Sequence, residues 1–311
     1  MNLTNAITKL NEGAQPHLTM YFVFKSNGQY ILRRVNIDEE IQKELSKGFK
    51  KFLNEKYIDK DLKMGKISTA DERMLDVLEY DIEIIPPLNI LEEVLDNPEQ
   101  TKYEHSKDKD LKIDGYIFIL SNDKVKMSLF KEHYPFDTIT RDKIVFARSQ
   151  SKFISIQEDD VFNLSNKIDF LFVKNKLYVL NQKVLESNFG IHDVLKKEAE
   201  NILEEIDENN YVENLDFVKE IINEKASFAR KILKVNKESP VIKLPFKDIK
   251  SFVEGHPHLK GKLKFNTAGN KFSLHSKNSA ALYIKLMDDD FLKSDLSKQL
   301  YDSIAKDKIK K

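Results

Sequence analysis

The sequence predicts an α+β fold. A strand-rich N-terminal half carries antiparallel hairpins and a meander, a helical segment follows, and a C-terminal region mixes a hairpin with helices. Three observations predict it. Short apolar runs with strand-like composition recur between residues 18 and 180, as expected for pleated strands that bury at least one face. Pairs such as Asn27-Gly28 and Asn122-Asp123 separate neighbouring runs, and such pairs favour tight hairpin turns. After Gln182 the apolar period lengthens from two to 3.6, the helical value.

Residues 18–35, LTMYFVFKSNGQYILRRV, read as a hairpin turning at Asn27-Gly28. From Asp38 the pattern turns helical, with Ile41, Leu45, Phe49, Phe52 and Leu53 on one stripe and Asp38 as the N-cap. Residues 59–80 give no clear pattern. Pro86-Pro87 opens a short helix that stops near Pro98, and the polar stretch 101–112 reads as an exposed loop. GYIFILS and KVKMSLFKEHY form a second hairpin at Asn122-Asp123, and the meander continues through DVFNLS, KIDFLFV and KLYVLN, with Asn175 in a turn.

Beyond Gln182, KVLESNFGIHDVLKKEAENILEEIDE is helical in its second half, and residues 211–235 read as one further helix. Pro240 and Pro245 interrupt it. A third hairpin turns at residues 267–269, and a helix over SAALYIKLM ends at Asp288-Asp289-Asp290. The expected division is a strand-rich region 1–184 and a helical, basic region 185–311.

The 311 residues carry 51 basic and 51 acidic side chains and no cysteine. Zero net charge argues against a chain that is basic overall, so nucleic-acid binding would require a local basic surface. Without cysteine there are no disulfides, thiolate nucleophiles or cysteine-held metals. The N-terminal stretch lacks the pattern of a signal peptide, and no apolar run approaches the ~20 residues of a membrane span. Membrane contact is therefore expected only through a partner. Of the 51 basic residues only six are arginine. Lysine touches phosphate as a point charge and seldom reads base edges in a bidentate manner.

The motifs of common enzymes fail. No G-x-G-x-x-G and no G-x-S-x-G occurs, and GHPHLKGKL at 255–263 has the wrong glycine spacing and Leu263 where a phosphate loop needs Ser or Thr. His256 and His258 flank Pro257 without a completing carboxylate set and read as part of a polar loop. Asp288, Asp289 and Asp290 could gather a divalent metal in a nuclease. The simpler reading is a helix end and the cap of the next element. No cofactor is expected.

The basic stripe is the most informative local feature. Lys243, Lys247, Lys250, Lys260, Lys262, Lys264, Lys271 and Lys277 face only Asp248 and Glu254, a local charge of +6, with Phe246, Phe252, Phe265 and Phe272 interleaved. A smaller group is Arg141, Lys143, Arg148 and Lys152. Such groups can neutralise a phosphate backbone without reading sequence. If Lys260, Lys262 and Lys264 lie on one strand, they share a face, with Leu263 and Phe265 turned to the core.

The tail LYIKLMDDDFLKSDLSKQLYDSIAKD at 282–307 and the meander FISIQEDDVFNLSNKIDFLFVKNKLYVLNQKVLESNFGI at 153–191 resemble the KwaB-like family of the Kiwa anti-phage defence system. The resemblance implies a cytoplasmic DNA-binding effector that acts as a homodimer. It would be peripheral to the inner membrane through a KwaA-like small membrane protein. It would bind phage DNA and impede replication and transcription. The family marks Asp288, Asp289, Ser294 and Leu296 carry no catalytic role across, so the chain is expected not to be an enzyme. Two alternatives stand beside this reading: a metal-dependent nuclease using the C-terminal carboxylates, and an interaction scaffold that does not bind DNA.

Overall fold

The computed structural model describes residues 2–26, 28–58, 61–70, 75–108, 110–134, 138–140, 145–149, 152–156, 160–207, 211–294 and 296–303. The elements in chain order are α1 (Leu3–Glu12), β1 (His17–Ser26), β2 (Gln29–Val35), α2 (Glu39–Tyr57), β3 (Met64–Lys66), β4 (Val77–Glu79), α3 (Pro86–Asp96), α4 (His105–Asp108), β5 (Ile113–Ser121), β6 (Lys126–Glu132), β7 (Thr138–Thr140), β8 (Val145–Ser149), β9 (Lys152–Ile156), β10 (Asp160–Phe162), β11 (Phe170–Val173) and β12 (Lys176–Val179). There follow α5 (Gln182–Asn188), α6 (Ile191–Asp207), α7 (Asp216–Glu224), α8 (Ala226–Glu238), α9 (Phe246–Gly255), β13 (Lys264–Phe265), β14 (Phe272–Ser273), α10 (Lys277–Met287), β15 (Phe291–Lys293) and β16 (Leu300–Asp302). The fold is α+β, as the periodicity predicts.

The chain divides into two units: Met1–Lys63 with Ile84–Leu185, and Met64–Glu83 with Glu186–Lys311. In the first, antiparallel strands follow the order β2-β1-β5-β6-β11-β12. The tight turns use left-handed backbone conformations. Gly28 sits at φ +77° between β1 and β2, and Lys174 and Asn175 sit at +50° and +58° between β11 and β12, a two-residue turn with both residues left-handed. Asn122 closes the β5–β6 hairpin by accepting, through its side-chain oxygen, the N–H groups of Lys124 and Val125.

Both faces of this sheet are covered, so β5 and β11 bury nearly every side chain rather than alternating. On one face Phe49 of α2 meets Phe118 of β5 at 4.6 Å between ring centroids. On the other, Ser128 of β6, opposite Ile119, donates to the carbonyl of Leu91 in α3. Asp38 caps α2 by accepting the N–H of Ile41, and Pro86 opens α3. The predicted α2 stripe holds at Phe49 and Leu53, both buried, but Ile41 in the first turn is exposed.

The stretch 101–112 is not simply an exposed loop. Tyr103 N–H donates to the Arg34 carbonyl and Arg34 N–H to that of Thr101, so this segment covers part of the edge of β2. Asp108 is buried and accepts from Arg33 at 3.1 Å and from Glu104 N–H at 3.0 Å. Burial pushes its pKa up, but these donors outweigh burial and hold it below the usual carboxylate range.

In the second unit β3 and β4 pair in parallel, so residues 64–83 contribute structure where the sequence gives no clear pattern. Helix begins at Gln182, earlier than periodicity suggests, and Gly190 at φ +65° separates α5 from α6. Residues 211–235 form two helices rather than one. Lys225 is extended, with its N–H closing α7 on the Ile221 carbonyl. The break is invisible to periodicity because Ile222 and Ala229, both buried, lie one heptad apart and keep the stripe in phase. Among the described residues no helix is long and apolar enough to cross a membrane.

Candidate nucleic-acid interface

The basic stripe lies on a module of the second unit. Its scaffold is an aromatic cluster that joins α9 to the β13–β14 hairpin and α10. Phe246 lies 5.4 Å from Phe272 and 6.1 Å from Phe265, Phe265 lies 5.1 Å from Phe272, and Phe272 lies 5.6 Å from Tyr283. Tyr211 packs against Phe246 with the rings tilted 48° at 5.4 Å between centroids, and the segment 211–213 pairs with the edge of β14 through Phe272. Ser276 and Ser279 form a capping box that starts α10. Phe272 is buried at the centre of this cluster, with Phe246 and Phe265 half-buried against it, and this packing fixes the backbone that carries the lysines.

The eight lysines do not act as one set. Lys243 ends a short 3₁₀ turn, Lys247 lies on α9, Lys260 and Lys262 occupy the turns after α9, and Lys264 opens β13. All five are exposed, and none forms an ion pair with a carboxylate among the described residues. Lys250 is drawn inward: its ammonium donates to the Gly269 carbonyl at 3.0 Å and lies 5.1 Å from the centre of the Phe265 ring. Lys271 is half-buried on the approach to β14. Lys277 is clamped by Glu220, at 2.9 Å, and by Glu224. Its hydrogen bonds to these two glutamates raise its pKa above the usual lysine value. It is therefore already neutralised by α7.

One geometric expectation is corrected. Lys260 and Lys262 are not on a strand with Lys264. Residues 256–263 wind through turns, with Lys260 N–H donating to His256 and Leu263 N–H to Leu259. Leu259 and Leu263, four residues apart and both buried, anchor this loop, while Phe265 is only half-buried. The strand begins at Lys264 because pairing with β14 starts there.

Arg141 and Lys143 lie outside the described residues. Arg148 and Lys152 fall on the paired strands β8 and β9, where Arg148 faces Phe153 and Lys152 faces Ser149 in the backbone register.

His256 is not part of a polar loop. It is 6% exposed, with its ring 5.2 Å from Phe252 and 5.3 Å from Phe291. Its Nδ1 accepts the N–H of His258, so the neutral ring carries its proton on Nε2. Nε2 has no hydrogen-bond partner among the described residues. Burial first, then the charge of His258, lower its pKa below the usual imidazole value.

The C-terminal carboxylates are held by lysines of α8. Lys231 Nζ lies 2.6 Å from Asp290 and 3.3 Å from Asp288, and Lys234 Nζ lies 3.5 Å from Asp288. Both carboxylates are almost fully buried. Burial lowers the Lys231 pKa, but the hydrogen bond and charge of Asp290, with Asp288, outweigh it and raise the value above normal. Asp289, at φ +61°, turns the chain out of α10, and Asp290 N–H bonds back to the Lys285 carbonyl. This arrangement is a helix stop neutralised by cations. Among the described residues no group of three or more acidic or histidine side chains is disposed to hold a metal. The sequence signal for these partners is Lys231 and Lys234 at i,i+3 in α8, which gains meaning only once the fold brings them to the carboxylates.

The chain is 28% identical over 284 residues to the Kiwa protein KwaB of Escherichia coli O55:H7 (strain RM12579 / EPEC), covering 89% of this chain and 90% of that protein. No solved structure matches the chain. The family described as Kiwa protein KwaB-like matches residues 110–297, more than half of the chain and a span that contains the whole lysine segment 243–277. The chain therefore belongs to the Kiwa protein KwaB-like family.

Proposed function

We propose that this KwaB-like chain is an anti-phage defence component that binds DNA through its second unit, with little dependence on sequence, and so impedes replication and transcription of phage DNA. The observation that carries the reading is the set Lys243, Lys247, Lys260, Lys262 and Lys264, exposed and without carboxylate partners among the described residues, in a chain of zero net charge. Charges left unneutralised in an otherwise balanced protein form a local site for a polyanion. Lysine contacts to phosphate give affinity and register without base reading. Arg148 and Lys152 are a secondary contact in this reading. The protein acts as a homodimer in the cytoplasm, next to the membrane through a KwaA-like small membrane protein.

The role is binding rather than catalysis. Asp288 and Asp290 are neutralised by Lys231 and Lys234, which leaves a metal-dependent nuclease without support from these carboxylates. Purified protein mixed with linear duplex DNA, with and without magnesium, tests the proposal. A mobility shift with intact DNA in both conditions is expected. Cleavage that requires magnesium would establish the nuclease instead, and the absence of both would leave an interaction scaffold.

A further inference from the structure

We infer that Phe252 is a stacking platform for an unpaired base, so that the lysine segment prefers single-stranded to duplex nucleic acid. The inference rests on the DNA-binding reading above and names the form of the ligand. Three of the four phenylalanines interleaved with the lysines, Phe246, Phe265 and Phe272, pack together in the aromatic cluster. Phe252 does not join them and is 43% exposed.

Its ring is backed rather than loose. His256 lies 5.2 Å away at an interplanar angle of 33° and is itself wedged against Phe291. An aromatic ring supported on one side and wet on the other loses little conformational entropy when a second ring stacks on it. Exposed lysines flank Phe252 in sequence and supply charge for the phosphates of a bound strand. Lys247 precedes Phe252 on α9, and Lys260, Lys262 and Lys264 come after it in the next loop and strand. Asp248 lies one helical turn before Phe252 and disfavours a phosphate over the ring, whereas an uncharged base meets no such penalty. No arginine occurs between residues 243 and 277, so bidentate reading of base edges in a duplex groove has no donor there. Stacking needs no such donor, because every base has a π-face. In a duplex the base faces are covered by their neighbours and the platform has nothing to take.

Fluorescence anisotropy with labelled oligothymidylate and a blunt duplex of equal length tests this. The wild-type chain should bind the single strand more tightly. Phe252→Leu, which keeps apolar bulk but removes the ring, should weaken single-strand binding by about tenfold, ~1.4 kcal/mol, within the range of base–aromatic stacking. Its duplex affinity should not change, and Phe252→Tyr should retain single-strand binding. Equal wild-type affinity for both forms would overturn the inference while leaving DNA binding intact, as would parallel loss on both forms in Phe252→Leu, full single-strand affinity in that variant, or loss in Phe252→Tyr. A wild-type chain that binds neither form would overturn the DNA-binding reading itself, and the inference with it.

Discussion

Replacing Lys231 by methionine removes the cation that holds Asp290 and leaves its alkyl stem largely in place. The side chain of Asp290 is 2% exposed and that of Asp288 3%, so neither carboxylate recovers much hydration when the ammonium is lost. Lys234 remains, but at 3.5 Å from Asp288 it pairs with the other carboxylate. Removing one partner of a buried ion pair costs about 3–5 kcal/mol, and the lower end applies because Lys231 is 18% exposed and Asp288 keeps its second lysine. At ~2–4 °C per kcal/mol for a region of this size, a loss of about 3 kcal/mol lowers the melting temperature of the second unit by roughly 6–12 °C. Calorimetry and urea denaturation measure this directly. A loss below ~1 kcal/mol, the value of a surface pair, would mean that water reaches the carboxylates and that the neutralised helix-stop account is wrong.

Two further predictions concern other parts of the fold. His256 has its folded-state pKa depressed, so the unfolded chain binds its proton more readily. Its contribution to stability should be complete above the ordinary imidazole value of ~6.5 and decline as pH falls below it. Urea midpoints across that range should show the decline in the wild type and a flatter profile in His256→Gln; identical profiles would refute the assignment. At Gly115 a Cβ would stand 2.7 Å from Phe130 Cζ and 3.0 Å from the Lys131 carbonyl oxygen. Gly115→Ala should therefore destabilise the first unit by ~1–3 kcal/mol through overpacking, and a neutral result in urea denaturation would contradict the close packing of β5 on β6.

Much of the local structure was legible because local chemistry sets it. Asn27-Gly28, Asn122-Asp123, Asn175, Asp38 and Pro86 act within a few residues of themselves, and the hairpins, the cap and the helix start lie where those residues put them. What stayed hidden depends on partners distant in sequence. The pairing of Lys231 with Asp290 spans 59 residues, and Lys277 meets Glu224 across 53, separations that a local charge count does not register. The same blindness credited the stripe with eight lysines when Lys250 and Lys277 are engaged elsewhere. The family marks Asp288 and Asp289 were visible, but their structural role emerges only once α8 lies beneath them. The turn at 256–263 was missed because alternating lysines imitate a strand, whereas the buried pair Leu259 and Leu263, at helical spacing, decides its shape.

The salt dependence of duplex binding tests the central claim most directly. If each of the five exposed lysines neutralises one phosphate, log K against log salt should fall with a slope of about −4.5, at −0.9 per phosphate. In the folded variant Lys260→Glu/Lys262→Glu/Lys264→Glu the slope should flatten by about 2.7 on the same basis, with affinity reduced alike on unrelated sequences. Wild-type affinity and wild-type slope in that variant would contradict the assignment of DNA binding to this segment.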